Sequence, residues 1–200
     1  MRRKQPQSKK NYSNQKGGNQ LRVIGGQWRG RKLSFPTIEG LRPTPDRVRE
    51  TLFNWLAGDI NGARCLDLFS GSGALGYEAL SRGAGHVDMV DSAAAVSRQL
   101  QLNARLLEAD NLKIHQANAL VFLASQPAPY DIIFLDPPFR QGLMADCLNT
   151  ITQQRLLKPG AWLYIEMGRD EPLPPVPAEW QLHREKSAGQ VCYRLFAIGS

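Results

Sequence analysis

The sequence contains no long hydrophobic run. No stretch of its 200 residues approaches the roughly 18 uncharged apolar residues that a membrane-spanning helix needs. The charged N-terminus is not followed by an apolar segment, so it lacks the pattern of a secretory signal. These absences predict a cytoplasmic protein that makes no membrane contact.

Cysteine and histidine are both scarce. The three cysteines, Cys65, Cys147 and Cys192, form no close pair, and Cys65 and Cys192 lie in apolar runs. This spacing favours reduced, packed thiols over disulfide bonds or metal ligands. The three histidines are scattered along the chain, so no metal site is predicted.

Acidic residues are missing from the N-terminal part of the chain. Residues 1–35 carry ten Lys or Arg and no Asp or Glu, whereas the remaining residues carry fifteen basic and eighteen acidic side chains. A basic arm on a nearly balanced domain is typical of proteins that bind nucleic-acid phosphates. A solubilising tail is the alternative interpretation of the same charge.

The chain predicts one domain behind a tail. Residues 1–20 are rich in Lys, Arg, Asn, Gln, Ser and Gly and have almost no apolar side chains, so we expect them to be disordered. Residues 21–200 form a single domain in this prediction, with a hairpin extension at 21–40 and the core at 41–200. Trp28 lies in the glycine-rich connection of that hairpin, either as a stacking platform for a base or as an aromatic that caps the hairpin core.

Strands and helices alternate after a helix that begins near residue 45. Thr44 is predicted as its N-cap, with Pro45 in the first helical position and Asp46 at the positive end of the helix dipole. Apolar runs predict strands at 64–69, 86–91, 112–116, 130–135 and 161–167, with helices near 73–82, 93–109, 118–125 and 143–156. This alternation predicts an α/β fold with a mostly parallel sheet covered on both faces. Residues 180–186 and 190–197 predict a terminal antiparallel hairpin at the sheet's far edge.

A glycine-rich turn follows the first of these core strands. Residues 71–76 fit the pattern G-x-G-x-x-G, which suits NAD as well as other adenosine cofactors. Asp91 ends the next strand, where it can accept hydrogen bonds from ribose hydroxyls. Asp67, close to the turn, would oppose the pyrophosphate of a dinucleotide but suits S-adenosylmethionine, which brings an ammonium and a sulfonium. The alternative is that Asp67 only caps the following helix or turn.

The second motif is Asp-Pro-Pro-Phe, residues 136–139. The Asp136 carboxylate and the Pro137 carbonyl can both accept from one NH₂ group, and the prolines keep this notch rigid. Phe139 offers a flat face to a base taken out of its stack. Asp67 and Asp136 should be neighbours, because the first and fourth strands of such sheets lie side by side where the strand order reverses. A strand-ending turn without chemistry is the alternative.

These motifs resemble a known family. D-L-F-S-G-S-G from Asp67 and D-P-P-F from Asp136 resemble the motifs of Rossmann-like, S-adenosylmethionine-dependent methyltransferases acting on exocyclic amines. R-V-I-G-G-Q-W-R-G-R-K-L from Arg22 and R-P-T-P-D-R-V-R-E-T-L-F-N-W-L from Arg42 are similar to the RsmD family, over about residues 21–196. That family methylates the N2 amine of one guanine in small-subunit (16S) ribosomal RNA. The resemblance implies a Rossmann-like fold with a seven-stranded sheet, and S-adenosylmethionine as the cofactor.

The resemblance also assigns roles to residues. It implies catalysis at Asp136, Pro137 and Phe139, and cofactor binding at Asp67, Phe69, Gly71, Gly73, Asp91, Asn118 and Ala119. Asp91 departs from the Glu of the family at the ribose position, and Asn118 can instead begin a helix. Independently of the resemblance, the basic charge predicts RNA contacts in the tail (Arg2, Arg3, Lys4, Lys9, Lys10) and in the hairpin (Arg22, Trp28, Arg29, Arg31, Lys32).

Two other functions compete with this prediction. Adenine-N6 methylation of DNA uses the same notch, but the chain has no additional target-reading domain. A non-catalytic RNA-binding protein on a methyltransferase scaffold is disfavoured by the intact Asp67, Asp91 and Asp136. The expected enzyme is a monomer that acts on small-subunit RNA, either naked or in an assembled 30S particle.

Overall fold

Seven strands form one central sheet in the computed structural model, which describes residues 19–125, 128–138 and 142–199. The elements in chain order are β1 (Gln20–Arg22), β2 (Lys32–Ser34), α1 (Asp46–Trp55), β3 (Arg64–Asp67), α2 (Ala74–Ser81), β4 (His86–Asp91), α3 (Ala94–Leu107), β5 (Leu112–Gln116), α4 (Ala119–Ser125), β6 (Tyr130–Leu135), α5 (Leu143–Gln153), β7 (Leu157–Gly168), β8 (Trp180–Ala188) and β9 (Val191–Ile198). Strand order in the large sheet is β5-β4-β3-β6-β7-β9-β8, and β5, β4, β3, β6 and β7 run parallel. β3 and β6, the first and fourth core strands, therefore lie side by side, which confirms the prediction.

Helices cover both faces of this sheet, as expected from the apolar strands. One face packs against α1, α2 and α3 through buried residues such as Phe53, Tyr77 and Leu100. The other face packs against α4 and α5 through residues such as Phe122 and Leu148. Successive side chains along a strand point to opposite faces of the sheet. Consecutive residues of β3, β6 or β7 therefore pack against different layers of helices.

The C-terminal hairpin closes one end of the sheet. β9 pairs antiparallel with both β7 and β8, so β8 is the edge strand, as predicted. Residues 172–177 cross to this hairpin without helix or strand, which matches their proline content. β7 begins at Leu157 and not at residue 161 as predicted. The sequence Lys158-Pro159-Gly160 is typical of a turn, yet it continues the strand through a register irregularity opposite β6.

The start of α1 differs by one residue from the prediction. The N-cap is Pro45, whose carbonyl accepts the N–H groups of Val48 and Arg49, and no side chain caps the helix. Thr44 precedes a proline and is therefore held outside the helix. Thr44 is buried, and its carbonyl accepts the Arg49 Nε–H at 3.1 Å. The predicted Thr44 cap is wrong.

The N-terminal hairpin docks onto α2. β1 and β2 pair antiparallel, and Leu21 and Leu33 are buried in the same core as α1, α2 and α3. Glu78 of α2 accepts the backbone N–H groups of Ile24 and Gly25, each at 2.8 Å. This carboxylate also pairs with Arg82 at 2.7 Å and lies 3.5 Å from the buried Arg49. The hairpin is thus anchored through a buried acidic residue on the helix that follows the glycine turn.

Trp28 is half-buried against this core, which favours the capping interpretation of its ring. The predicted disordered tail, including Arg2, Arg3, Lys4, Lys9 and Lys10, lies almost wholly outside the described residues. Among the described helices, none is long and apolar enough to cross a membrane.

Candidate active site

The glycine turn between β3 and α2 requires its glycines. Gly71 and Gly73 have φ values of 48° and 80°, in the left-handed region. A Cβ on Gly73 would lie 2.6 Å from the Tyr77 ring and 2.7 Å from Leu100, closer than real contacts allow. The backbone can therefore adopt this tight turn only without side chains at these positions. Leu41, from the segment before α1, lies over the turn, since a Cβ on Gly71 would be 3.7 Å from its Cγ.

Asp67 lies buried beneath the turn at the end of β3. Its Oδ2 accepts the Gly76 N–H in the first turn of α2 at 3.0 Å, so the carboxyl does cap the helix as the alternative interpretation held. Its side chain is 3% exposed, and burial raises its pKa to about 7, with the charge of Asp91 adding to the rise. A cation that binds near this buried carboxyl group would favour its ionised form.

The side chains of Asp91 and Asn118 accept hydrogen bonds from backbone N–H groups near the carboxyl ends of β4 and β5. Asp91 accepts the Gly71 N–H at 3.0 Å and the Ala93 N–H at 2.8 Å, which ties the glycine turn to the start of α3. Asn118 Oδ1 accepts the N–H groups at positions 120 and 121, so it begins α4 as the alternative held. Ala119 is buried behind it. Asp91 therefore borders the glycine turn, and Asn118 contacts only the start of α4.

The Asp136 carboxylate has no hydrogen-bond partner within the described residues. It follows β6 directly, is half-buried, and is succeeded by a buried Pro137 and an exposed Pro138. Burial raises its pKa well above the usual value, and the charges of Glu166 and Asp67 raise it further. The register pairs Asp67 with Phe134, so the two aspartates belong to adjacent strands. The predicted proximity of Asp67 and Asp136 is confirmed.

Phe139 lies outside the described residues, and Phe69 is half-buried against the core shared with α4 and α5.

Glu166 on β7 is a fourth carboxyl group at this end of the sheet, and no sequence motif predicted it. It is 4% exposed, and its Oε2 accepts the Tyr164 hydroxyl hydrogen at 2.8 Å. Burial raises its pKa to about 7. The signal in the sequence was a single charged residue inside the apolar run of residues 161–167, on the strand next to the Asp-Pro-Pro motif.

A cavity of about 270 Å³ opens at Pro137 and Pro138, the two residues that follow Asp136. It is lined by the two prolines of the motif, by the start of α5 and by the end of β7, with Met144, Glu166 and Met167 among its residues. A pocket walled mostly by apolar groups with a few polar ones suits a flat organic ligand.

The opening at the carboxyl ends of β3, β4, β6 and β7 thus gathers acidic groups without basic partners. Asp67, Asp91, Asp136 and Glu166 form no salt bridge with any described residue. In the described ranges, no group of three or more His, Cys, Asp or Glu side chains could hold a metal ion. A ligand that brings its own positive charge fits these residues, whereas a pyrophosphate would be repelled.

The protein combines a mostly parallel sheet, a glycine turn and an acidic opening that suits a cationic ligand. These features define the class of S-adenosylmethionine-dependent methyltransferases with a Rossmann-like fold. Solved structures agree on the fold, including an RNA methyltransferase from Salinibacter ruber in complex with S-adenosyl-L-homocysteine (TM-score 0.61, 16% identity, covering 80% of this chain and 95% of that one).

Comparison with known sequences identifies the family. The family described as Conserved hypothetical protein 95 matches residues 21–197. Ribosomal RNA small subunit methyltransferase D of Escherichia coli K12 is 53% identical over 183 residues, 92% of each chain, and the Haemophilus influenzae protein of the same name is 44% identical over 88% of this chain and 93% of its own. The structure of the E. coli protein yhhF matches with a TM-score of 0.84 at 52% identity, covering 91% of this chain and 99% of that one. The chain belongs to this family, the RsmD methyltransferases.

Proposed function

We propose that this protein transfers the methyl group of S-adenosylmethionine to the exocyclic N2 amine of a guanine in small-subunit ribosomal RNA. The observation that carries the proposal is the unpartnered Asp136 carboxylate beside a rigid Pro-Pro turn, next to buried acidic groups that lack any described cation. The family relatives named as small-subunit ribosomal RNA methyltransferases support the choice of RNA.

The cofactor would lie over the glycine turn. Gly71 and Gly73 allow its close approach, Asp67 faces its positive end, and Asp91, Phe69, Asn118 and Ala119 border the space for ribose and adenine. When bound, S-adenosylmethionine supplies an electrophilic methyl carbon on a positively charged sulfur. Leu41 lies over the turn, where it would shield the cofactor from water.

Asp136 and Pro137 position the amine. The Asp136 carboxylate and the Pro137 carbonyl accept its two N–H groups, which turns the nitrogen lone pair toward the methyl carbon. The new N–C bond would form as the C–S bond breaks and S-adenosylhomocysteine leaves, and the nitrogen would then pass one proton to the Asp136 carboxylate that accepts its N–H group. Because no strong base is required, orientation supplies most of the rate, which for well-positioned reactants is worth on the order of 7–11 kcal/mol. Phe139 is assigned to stack on the base.

The basic N-terminal region would bind the phosphates of the RNA. Exposed hairpin side chains that could contact phosphate are Arg22, Arg29, Arg31 and Lys32, with Trp28 half-exposed among them. Of these, Arg22 also pairs with Asp46 at 3.5 Å, and Arg31 donates to the Leu106 carbonyl at 2.8 Å. The tail residues Arg2, Arg3, Lys4, Lys9 and Lys10 add to this charge. We infer that residues 21–200 act as one monomeric domain, and that the substrate places the enzyme in the cytoplasm.

Labelled methyl transfer tests this proposal. The protein is incubated with labelled cofactor and naked small-subunit RNA, assembled 30S particles or duplex DNA, and the products are digested to nucleosides. We expect label in N2-methylguanosine from one of the RNA substrates and none in DNA. Label in N6-methyladenine of DNA, or in no nucleic acid, would contradict the proposal.

A further inference from the structure

Glu166 stands beside Asp136 on the same face of the sheet. Leu135 of β6 pairs with Ile165 of β7, so Asp136 and Glu166 follow next on neighbouring parallel strands. Leu135 and Ile165 face the layer of α4 and α5. Because side chains alternate, Asp136 and Glu166 turn to the opposite face, and the charge of Glu166 raises the pKa of Asp136.

Glu166 is held in place and yet keeps a free acceptor. The Tyr164 hydroxyl binds its Oε2, and the Tyr164 ring is fixed between Phe134 and Tyr193, with centroid separations of 6.3 Å and 6.5 Å. Its Oε1 has no hydrogen-bond partner in the described part of the chain. The carboxyl group is buried with a single hydrogen bond, so a ligand group that donates a hydrogen to Oε1 would offset part of its desolvation cost.

The spacing of the two carboxyl groups suits one edge of guanine. Neighbouring strands lie roughly 4.8 Å apart, and a hydrogen bond spans about 2.9 Å between heavy atoms. Guanine presents the N1–H and the N2 amine side by side, so two adjacent acceptors can each take one donor. Adenine presents an unprotonated N1 beside its N6 amine, and a carboxylate facing that nitrogen is repelled.

We propose that Glu166 selects guanine by accepting its N1–H while Asp136 and Pro137 accept the N2 amine. This inference rests on the proposed function, since it names the group that reads the base at that same site. Glu166 thereby excludes bases whose ring nitrogen carries no hydrogen next to the reacting amine.

The test replaces the target guanine by 2-aminopurine, which keeps the reacting amine but has an unprotonated N1. For the native protein we expect kcat/KM to be at least about 100-fold higher for the guanine RNA, because a polar site rejects a ligand that lacks its donor. In Glu166→Gln the side-chain amide can donate to the unprotonated N1. The preference for guanine should therefore fall at least about tenfold relative to the native protein.

Controls separate base selection from folding. Glu171→Gln changes another glutamate at the same cavity and should keep the native preference. An unchanged preference in Glu166→Gln, or loss of activity on both RNAs with S-adenosylmethionine binding intact, would overturn the inference. If Glu166→Gln does not fold, Glu166→Asp provides the test, since it withdraws the carboxylate from the base. We expect its guanine kcat/KM to fall at least about tenfold, and a native value would overturn the inference.

The outcome also separates the inference from the proposed function. Methylation of guanine RNA with no effect of Glu166 on base preference rejects the inference alone. Failure of the native protein to methylate any guanine RNA rejects both.

Discussion

Asp67 ends β3 and Asp136 directly follows the neighbouring parallel strand β6, and the charge of Asp67 adds to burial and to the charge of Glu166 in raising the pKa of Asp136. One carboxyl borders the glycine turn and the other borders the amine notch. A donor with a positively charged sulfur, placed between them, would relieve the repulsion as it meets the acceptor. This relationship links the choice of cofactor to the position of the substrate.

Cofactor choice can be measured by calorimetry. We expect S-adenosylmethionine to bind and NAD not to bind, because the buried Asp67 attracts a cation and repels a pyrophosphate. Asp67→Asn should weaken S-adenosylmethionine binding by about tenfold or more, the equivalent of one pKa unit of interaction. Asp110→Asn, which changes an aspartate outside the site, serves as control. Tight binding of NAD would contradict this account.

Cofactor affinity should depend on pH. Burial raises the pKa of Asp67 to about 7, so below that pH the free protein carries a proton there that a bound cation must displace. Binding should therefore strengthen from about pH 6 to about pH 8, and this dependence should flatten in Asp67→Asn. An equal pH dependence in both proteins would show that other groups control binding.

Asp67 and Glu166 should make the free protein less stable as pH rises. Asp67 and Glu166 have folded-state pKa values of about 7, above those of the unfolded chain. Between the two values the folded state holds more protons, so the contribution of these groups to the free energy of unfolding falls as pH rises from about 4 to about 7. Urea unfolding of the native protein and of Asp67→Asn should show this slope reduced in the variant. A steeper loss in the variant would contradict it.

Glu78 should be important for stability. This fully buried carboxylate accepts two backbone N–H groups of the hairpin and pairs with Arg82 and Arg49. Glu78→Ala leaves buried donors unpaired and should lower the free energy of unfolding by about 3–5 kcal/mol. The exposed Glu50→Ala in α1 is the control, with a change within about 0.5 kcal/mol. Equal effects in chemical denaturation would show that Glu78 does not anchor the hairpin.

The basic tail should contribute charge to RNA binding. Residues 1–18 carry six Lys or Arg and no acidic residue, and they precede β1, so their removal leaves the hairpin whole. We expect the truncated protein to unfold at the same temperature, to bind RNA more weakly, and to show a smaller decrease of log affinity with log salt. An unchanged salt slope would favour the solubilising tail.

Most of the fold follows from local patterns in the sequence. Strands β4, β5 and β6 lie at the predicted residues because each is a short stretch with apolar residues between polar turns, and the pairing of β3 with β6 follows from the alternation of strands and helices. Two local predictions failed. The proline after Thr44 holds Thr44 outside the helix and makes Pro45 the N-cap, and sheet pairing extends β7 through Pro159 and Gly160.

For the site too, residues in local motifs were predicted and a residue that depends on strand pairing was not. The Asp67 and Asp136 motifs are local, so their residues were found. Glu166 was not, because its importance comes from register with a strand that is distant in sequence. The helix-capping bonds of Asp67 and Asn118 were foreseen only as alternatives, since one short polar side chain can serve the backbone and a ligand equally well.

The most direct test of the central claim is the Asp136→Ala variant, with cofactor binding and methyl transfer measured on the same preparation. Asp136 positions the amine and does not hold the cofactor in this account. We therefore predict S-adenosylmethionine binding close to that of the native protein together with loss of methyl transfer to small-subunit RNA. Native turnover in Asp136→Ala would remove this carboxylate from the mechanism and contradict the account.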